Sequence, residues 1–195
     1  VPAPRMTPVE LTTARLLLNQ PGECDVDTIT EHCQDPLFER FVTTPWPYRR
    51  EHAEGFVRDY VPTGWASDEE CTWAIRGAAG SADREGKLLG VIGWVRRHSM
   101  IGYWLGAPHR RRGIMSDAVT AVVDWVFREG HADAVGWECV TGNDASARTA
   151  RTAGFTFTGI APLSMPLRDG RTRPEGWHAV LAATDDRSIK QGWPV

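Results

Sequence analysis

The chain has 195 residues, 42% hydrophobic and 24% charged, with a formal net charge of −3. That length fits one domain, and the balance is that of an ordinary globular protein. The charge excludes a global pull toward nucleic acid or an acidic membrane, so positive charge that matters must be local.

The opening segment, VPAPRMTPVE, lacks an apolar run, and no window of 18 apolar residues follows. No signal peptide and no membrane span are therefore expected, and a cytoplasmic location is. Residues 1–8 read as a flexible N-terminal end, 9–184 as a single domain and 185–195 as a C-terminal tail. Residues 9–19 (VELTTARLLLN) read as an opening strand, and 25–34 as a short helix with Asp25 or Asp27 placed to cap it. The two prolines of Thr43-Thr44-Pro45-Trp46-Pro47-Tyr48 prevent regular helix there. A second helix is expected over 49–60, with Ala53, Phe56, Val57 and Tyr60 at helical spacing. Residues 71–76 read as a strand and 77–86 as a hairpin loop.

Two adjacent strands are expected at 88–96 and 100–105, with Gly90, Gly93 and Gly102 marking bulges or close backbone approaches. An amphipathic helix follows, with Ile114, Ala118, Ala121, Val122, Trp125 and Val126 on one face and Glu129-Gly130 as its stop. Then come a strand at 134–141, a helix at 143–153 closed by Gly154, and strands at 155–160 and 177–183. This order predicts a mixed sheet of the α/β or α+β class with helices on both faces. Nine tryptophans are many for this length; those in strands suit the core, and others suit a groove. The four cysteines, Cys24, Cys33, Cys71 and Cys139, form no CxxC pair and no zinc-ligand spacing, so free thiols and no metal are expected.

The segment GYWLGAPHRRRGIMSDA, residues 102–118, carries the most chemistry. A strand runs into a loop of three arginines and a glycine, and the loop opens a helix. Unpaired N–H groups at a helix start and the helix dipole attract a polyanion, and Gly113 admits close backbone approach. A P-loop, GxxxxGK(S/T), is excluded because no Lys-Ser/Thr follows Gly113, and the GxGxxG dinucleotide spacing is absent. A pyrophosphate pattern, (R/Q)xxGx(G/A), fits as Arg110-Arg111-Arg112-Gly113-Ile114-Met115, with Met in its last position. Taken alone, an arginine triplet in a loop is also a common solvated patch.

With these residues the chain resembles the GNAT family of acyl-CoA-dependent N-acyltransferases, and more narrowly its branch of RimJ/RimL-type ribosomal-protein N-terminal acetyltransferases. The opening TTARLLLN is similar to that branch's first strand, T-x-R-L-x-L. Pro45-Trp46-Pro47-Tyr48 resembles its substrate-side segment, Ile101-Gly102-Tyr103-Trp104-Leu105 its fourth strand, and Asn143-Asp144-Ala145-Ser146 with Gly154-Phe155 its N-x-x-S…GF segment. The likeness runs over residues 10–182.

The resemblance implies a central, mostly antiparallel, splayed sheet flanked by helices. Acetyl-CoA, or another acyl-CoA, is the implied co-substrate, and a primary amine, such as a peptide N-terminus or a small molecule, the acceptor. It implies a pantetheine arm lying between the splayed strands on the backbone of Tyr103, Trp104 and Leu105. The pyrophosphate would sit on Arg110, Arg111, Arg112, Gly113, Ile114, Met115 and Ser116. Asn143 would anchor the pantetheine or acetyl end, and Ser146, one helical turn on, would donate to the leaving thiolate. Both also suit plain helix-start roles, Asn143 as an N-cap. Many family members carry a tyrosine acid after N-x-x-S, whereas residues 147–153 are ARTARTA; the branch's carboxylate after the GF strand is also missing from PLSMPLRDG. The base is therefore left open among Glu70, Asp169, Glu175, His178 and water. Glu138 is disfavoured, because alternation turns it away from the face of Cys139. Aromatics at Trp46, Tyr48, Tyr60 and Trp65 are expected either on the acceptor side, with residues 161–176, or in the core. A homodimer is compatible with this reading. A non-catalytic CoA-binding or sensory domain on the same fold is the alternative.

Overall fold

The computed structural model describes residues 7–81 and 86–195; residues 1–6 and part of the expected 77–86 loop lie outside this range. Its centre is an eight-stranded sheet in the order β1-β2-β3-β4-β5-β6-β8-β7. The strands are β1 (Leu11–Thr12), β2 (Leu16–Asn19), β3 (Glu70–Gly77), β4 (Leu88–Val95), β5 (Met100–Leu105), β6 (Ala134–Val140), β7 (Thr156–Pro162) and β8 (Glu175–Ala182). All neighbours pair antiparallel except β5 and β6, which are parallel.

The single opening strand expected over 9–19 is instead a tight hairpin, with Leu11 opposite Leu18 and Thr12 opposite Leu17. Thr13 breaks the run: its Oγ1 accepts from the N–H of Arg15 and of Leu16, a local turn that competes with the ladder. Helix α1 (Val26–His32) then packs against β4, and α2 (Pro36–Phe41) follows. The sequence reading missed α2, although its signal is present. Asp35 caps it by accepting the N–H of Leu37 at 2.9 Å, and Pro36 occupies the first turn, a pairing that starts helices.

The helix expected over 49–60 continues to Ser67 in three pieces: α3 (Arg50–Gly55), a π turn (Phe56–Tyr60) and α4 (Val61–Ser67). Pro62 explains the middle piece. Proline offers no N–H and its ring clashes with the carbonyl four residues back, and the ladder slips to a five-residue bond from Val61 N–H to Phe56 O.

Strand alternation sorts the core into two faces. Trp73 of β3 and Trp94 of β4 face α5 (Ile114–Arg128), where both stack edge-on against Trp125, at 5.3 and 6.1 Å. Trp65 joins the cluster through Trp73 at 5.1 Å. Helix α6 (Asp144–Thr152) lies on the same side of the core. On the opposite face, Ala74 and Val91 pack with Val26, Ile29 and Phe38 from α1 and α2. Residues 185–195 run back over the molecule, with Trp193 packing on Trp137 and Phe157. Among the described residues no helix is long and apolar enough to cross a membrane.

Helix α1 is fixed to the sheet by a buried ion pair. Arg76 of β3 donates from both terminal nitrogens to Asp25, at 2.8 and 2.7 Å, and from Nε to Asn19 at 2.8 Å. Removing one partner of such a pair strands a buried charge. Arg76→Leu is therefore expected to lower unfolding free energy by about 3–5 kcal/mol in urea denaturation, and a loss below about 1 kcal/mol, that of a surface pair, would refute the assignment.

Candidate functional site

The parallel ladder between β5 and β6 consists of Met100 opposite Gly136 and Ile101 opposite Trp137, and goes no further. Beyond it the two strands diverge, and the edge of residues 102–105 that faces β6 has no strand partner. A cavity of about 1690 Å³ occupies the gap and opens on both faces of the sheet. The residues expected to hold the coenzyme and its thiolate all line it: Tyr103, Trp104, Leu105, Arg110, Arg111, Arg112, Gly113, Ile114, Met115, Ser116, Asn143 and Ser146; of the candidate bases Glu70 lines it, and Asp169, Glu175 and His178 do not.

The arginine loop lies at one end of the cavity. Gly113 is the N-cap of α5 with φ 73°, and Arg111 holds φ 60°. Two left-handed residues so close together bend the chain sharply into the start of the helix. The three arginines divide their work. Arg111 and Arg112 are exposed, whereas Arg110 turns in, pairing with Asp35 at 2.7 Å and donating to the Leu105 carbonyl at 3.1 and 3.2 Å. The Leu105 carbonyl is thus already engaged, and Arg110 holds the loop rather than offering a free cation. Arg15, read from the sequence only as the arginine of the opening-strand signature, braces the loop from behind by donating to the Arg112 carbonyl at 3.0 Å and to Asp117 at 3.2 Å.

At the centre, Tyr103 and Ser146 meet across 43 residues of sequence. Ser146 Oγ accepts from Trp137 Nε1 at 3.3 Å and lies 3.3 Å from the Tyr103 hydroxyl, which donates to the Ser146 carbonyl at 3.0 Å. Burial pushes the Tyr103 phenol pKa up, so it stays protonated. Sequence reasoning assigned Tyr103 a backbone role only; its side chain became visible once β5 and α6 were side by side. Asn143 caps α6, its Oδ1 accepting the Ser146 N–H at 3.3 Å. The Cys139 thiol is buried, and burial pushes its pKa to about 12.

The other face of the gap is lined by α2, the π turn and residues 163–167. Of the four aromatics weighed for this side, Tyr60 lines the cavity, while Tyr48 and Trp65 are buried in the core and Trp46 packs beside it. Arg168, in the segment that follows residues 163–167, grips main-chain carbonyls. It donates to Glu39 at 2.7 Å, to Val42 at 2.6 Å, and also to Phe38 and Thr44. These include the last-turn carbonyls of Glu39 and of Phe38, the latter shared with the capping N–H of Val42.

Glu138 does project from the face opposite Cys139, as alternation requires, yet it lines the same cavity. Divergent strands open both faces to one space, so alternation does not exclude it. Its carboxylate accepts from the Ser164 N–H and hydroxyl and from the Met165 N–H, and lies 3.5 Å from His178 Nδ1. Among the described residues no cluster of metal-binding side chains occurs.

The acetyltransferase (GNAT) domain model matches residues 15–156. A probable N-acetyltransferase of Bacillus subtilis (strain 168), YjcK, is 35% identical over 74 residues, which are 38% of this chain and 41% of that protein. A ribosomal-protein-serine acetyltransferase of Escherichia coli (strain K12) is 30% identical over 91 residues, 44% of this chain and 51% of that protein. The chain thus spans about half the length of the curated relatives it matches. Among solved structures, RimL, a ribosomal L7/L12 α-N-protein acetyltransferase in complex with coenzyme A, superposes with a TM-score of 0.74. It covers 89% of this chain and 98% of its own at 17% identity, a likeness of fold. The family match takes in β2 to β6, the arginine loop and α6, and on it this chain belongs to the acetyltransferase (GNAT) domain family.

Proposed function

We propose that this protein moves an acetyl group from acetyl-CoA to a primary amine, and that the two reactants meet in the gap between β5 and β6. The observation that carries the reading is the continuity of one cavity from the glycine-capped start of α5, through the gap, to the π turn and residues 163–167. The N–H groups of Ile114, Met115 and Ser116 lack intrahelical partners and suit a pyrophosphate, as does the helix dipole. A Cβ on Gly113 would have only Arg15 Nη1 near it, at 3.6 Å, so the cradle is open. Arg111 and Arg112 add positive charge at the mouth. The freed edge of β5 at Tyr103 and Trp104 would take the amides of a pantetheine arm as a sheet edge takes an added strand, with Asn143 facing it from α6.

At the reacting centre, Ser146 is the group that donates to the departing thiolate. Trp137 orients its hydroxyl, which at rest donates to the Tyr103 phenol, itself held in place by its own O–H donation to the Ser146 carbonyl; that Ser146 donor turns from the phenol to the sulfur as charge builds there. Residues 147–153 offer no tyrosine, and Tyr103 supplies one from β5. Holding amine and thioester in line contributes independently of any proton transfer. The acceptor is a peptide N-terminus or a small amine; relatives named for ribosomal-protein serine acetylation favour the peptide.

Two substitutions test the reading. Gly113→Val forces a branched residue to φ 73°, a strain of about 1–2 kcal/mol, and fills the cradle. Its expected effect is a CoA affinity about tenfold weaker or worse by titration calorimetry; unchanged affinity means that the pyrophosphate binds elsewhere. Ser146→Ala is expected to lower kcat about 10²-fold, followed as free thiol release from acetyl-CoA, with CoA affinity nearly unchanged. An unchanged kcat removes Ser146 from the chemistry.

A further inference from the structure

An ammonium cannot attack a thioester until it loses a proton, and of the carboxylates that line the cavity away from α5 and α6, Asp59, Glu69, Glu70 and Glu138, two belong to strands of the sheet. One is Glu138 of β6, whose oxygens are already engaged by Ser164, Met165 and His178 and which thereby anchors the 163–167 segment. The other is Glu70, the first residue of β3. It receives two neutral hydroxyl donors, Tyr60 at 2.6 Å and Thr72 at 3.2 Å, which leave acceptor capacity on a carboxylate.

Neighbouring glycines clear its path. A Cβ built on Gly93 of β4 would lie 2.9 Å from Glu70 Oε1, so the carboxylate rests on the bare backbone of that residue. Gly93 pairs with Gly102 of β5, one strand spacing further on, roughly 4.8 Å. A Cβ on Gly102 would meet nothing within 4 Å, and Gly102 adjoins Ile101, where the ladder with β6 ends. Glu70 therefore views the mouth of the gap across a strip without side chains.

We infer that Glu70 takes the proton from the attacking ammonium above Gly102, with Tyr60 as the residue that positions it. The inference rests on the N-acetyl-transfer reading. The ammonium passes one proton to the Glu70 carboxylate, and the freed nitrogen lone pair forms the N–C bond as the carbonyl π pair moves onto oxygen. That pair returns and the C–S bond breaks, leaving its electrons on sulfur. The nitrogen then loses its second proton, the thiolate gains one, and Glu70 releases its own to solvent, a net yield of one proton per turnover. Burial raises the Glu70 pKa against the lowering effect of its two hydroxyl donors, the direction that suits a base working near neutrality. The charged and titratable side chains on its side of the cavity are Asp59, Tyr60, Glu69, Arg97 and His98, with Glu138 across Gly102.

The test is the pH profile of kcat/KM, by thiol release, for the full chain with acetyl-CoA and a short peptide bearing a free α-amino group. A base that accepts from the ammonium gives a plateau between its own pKa and that of the amine, near 7.7–8.0. In Glu70→Gln the plateau is expected to vanish. The rate then rises about tenfold per pH unit toward the amine pKa and falls about 10²-fold at the low end, while CoA affinity, read by calorimetry, stays the same. In Tyr60→Phe the acid limb is expected to move to higher pH, because a donor that lowers the Glu70 pKa is gone; a purely structural Tyr60 leaves the limb in place and overturns its positioning role. A plateau that survives in Glu70→Gln, or is lost in Glu138→Gln instead, overturns the assignment of Glu70. A wild-type chain that binds CoA and releases no thiol with any primary amine overturns the transfer reading, and this inference with it.

Discussion

Two backbone pairs join the halves of this sheet, and the rest of the molecule is arranged around how short that seam is. Met100–Gly136 and Ile101–Trp137 close it. Ser99 staples the vertex: its carbonyl accepts the Gly136 N–H at 2.7 Å and its hydroxyl donates to the Ala134 carbonyl at 2.5 Å. A Cβ on Gly136 would fall 2.4 Å from Met100 Sδ, so a larger residue there would displace that flexible side chain. A longer ladder would satisfy more backbone and leave no room for a substrate. Helix α5 compensates by packing on β1, β2, β4 and β5, and the Trp65–Trp73–Trp125–Trp94 chain gives that contact a rigid aromatic centre.

Charge near the gap is spent mostly on construction. Arg15 and Arg110 hold the loop that starts α5, Arg168 closes the end of α2, and Glu138 ties down the 163–167 segment. Among the other charges facing the cavity are the exposed Arg111 and Arg112 on the donor side and, on the acceptor side, Glu70, whose hydrogen-bond donors are two neutral hydroxyls. A charge held by several partners has little left to give a ligand, which is why counting charged residues in a pocket overstates its chemistry.

The parts legible in the sequence were those written in adjacent residues. The 3.6 period of α5, its start at Gly113 and the turn at Gly154 are local signals, and the arginine loop with its helix could be placed from them. The hairpin at Thr13 was not, because a single hydroxyl turns a run that otherwise reads as one strand. Helix α2 was announced by Asp35-Pro36 and overlooked because it is only six residues long. The continuation past Tyr60 depends on a register slip at Pro62 that periodicity does not encode. Of the site, the donor half is local and was found. The Tyr103–Ser146 contact, the glycine strip before Glu70 and the grip of Arg168 join residues far apart in the chain, and only the folded arrangement reveals them. Strand alternation gave Glu138 its correct face but not its access to the cavity, because that logic assumes a closed sheet.

Helix α2 is fastened at both ends by different parts of the site. Asp35 at its start pairs with Arg110 of the donor loop, and carbonyls at its close are held by Arg168 of the acceptor segment. So short a rod, pinned twice, has no slack in which to absorb a displacement. Any coupling between occupants of the two ends that runs through this helix is, by thermodynamic linkage, symmetric. Whatever free energy an occupant of one end gains from having the other filled, the second occupant gains in equal measure.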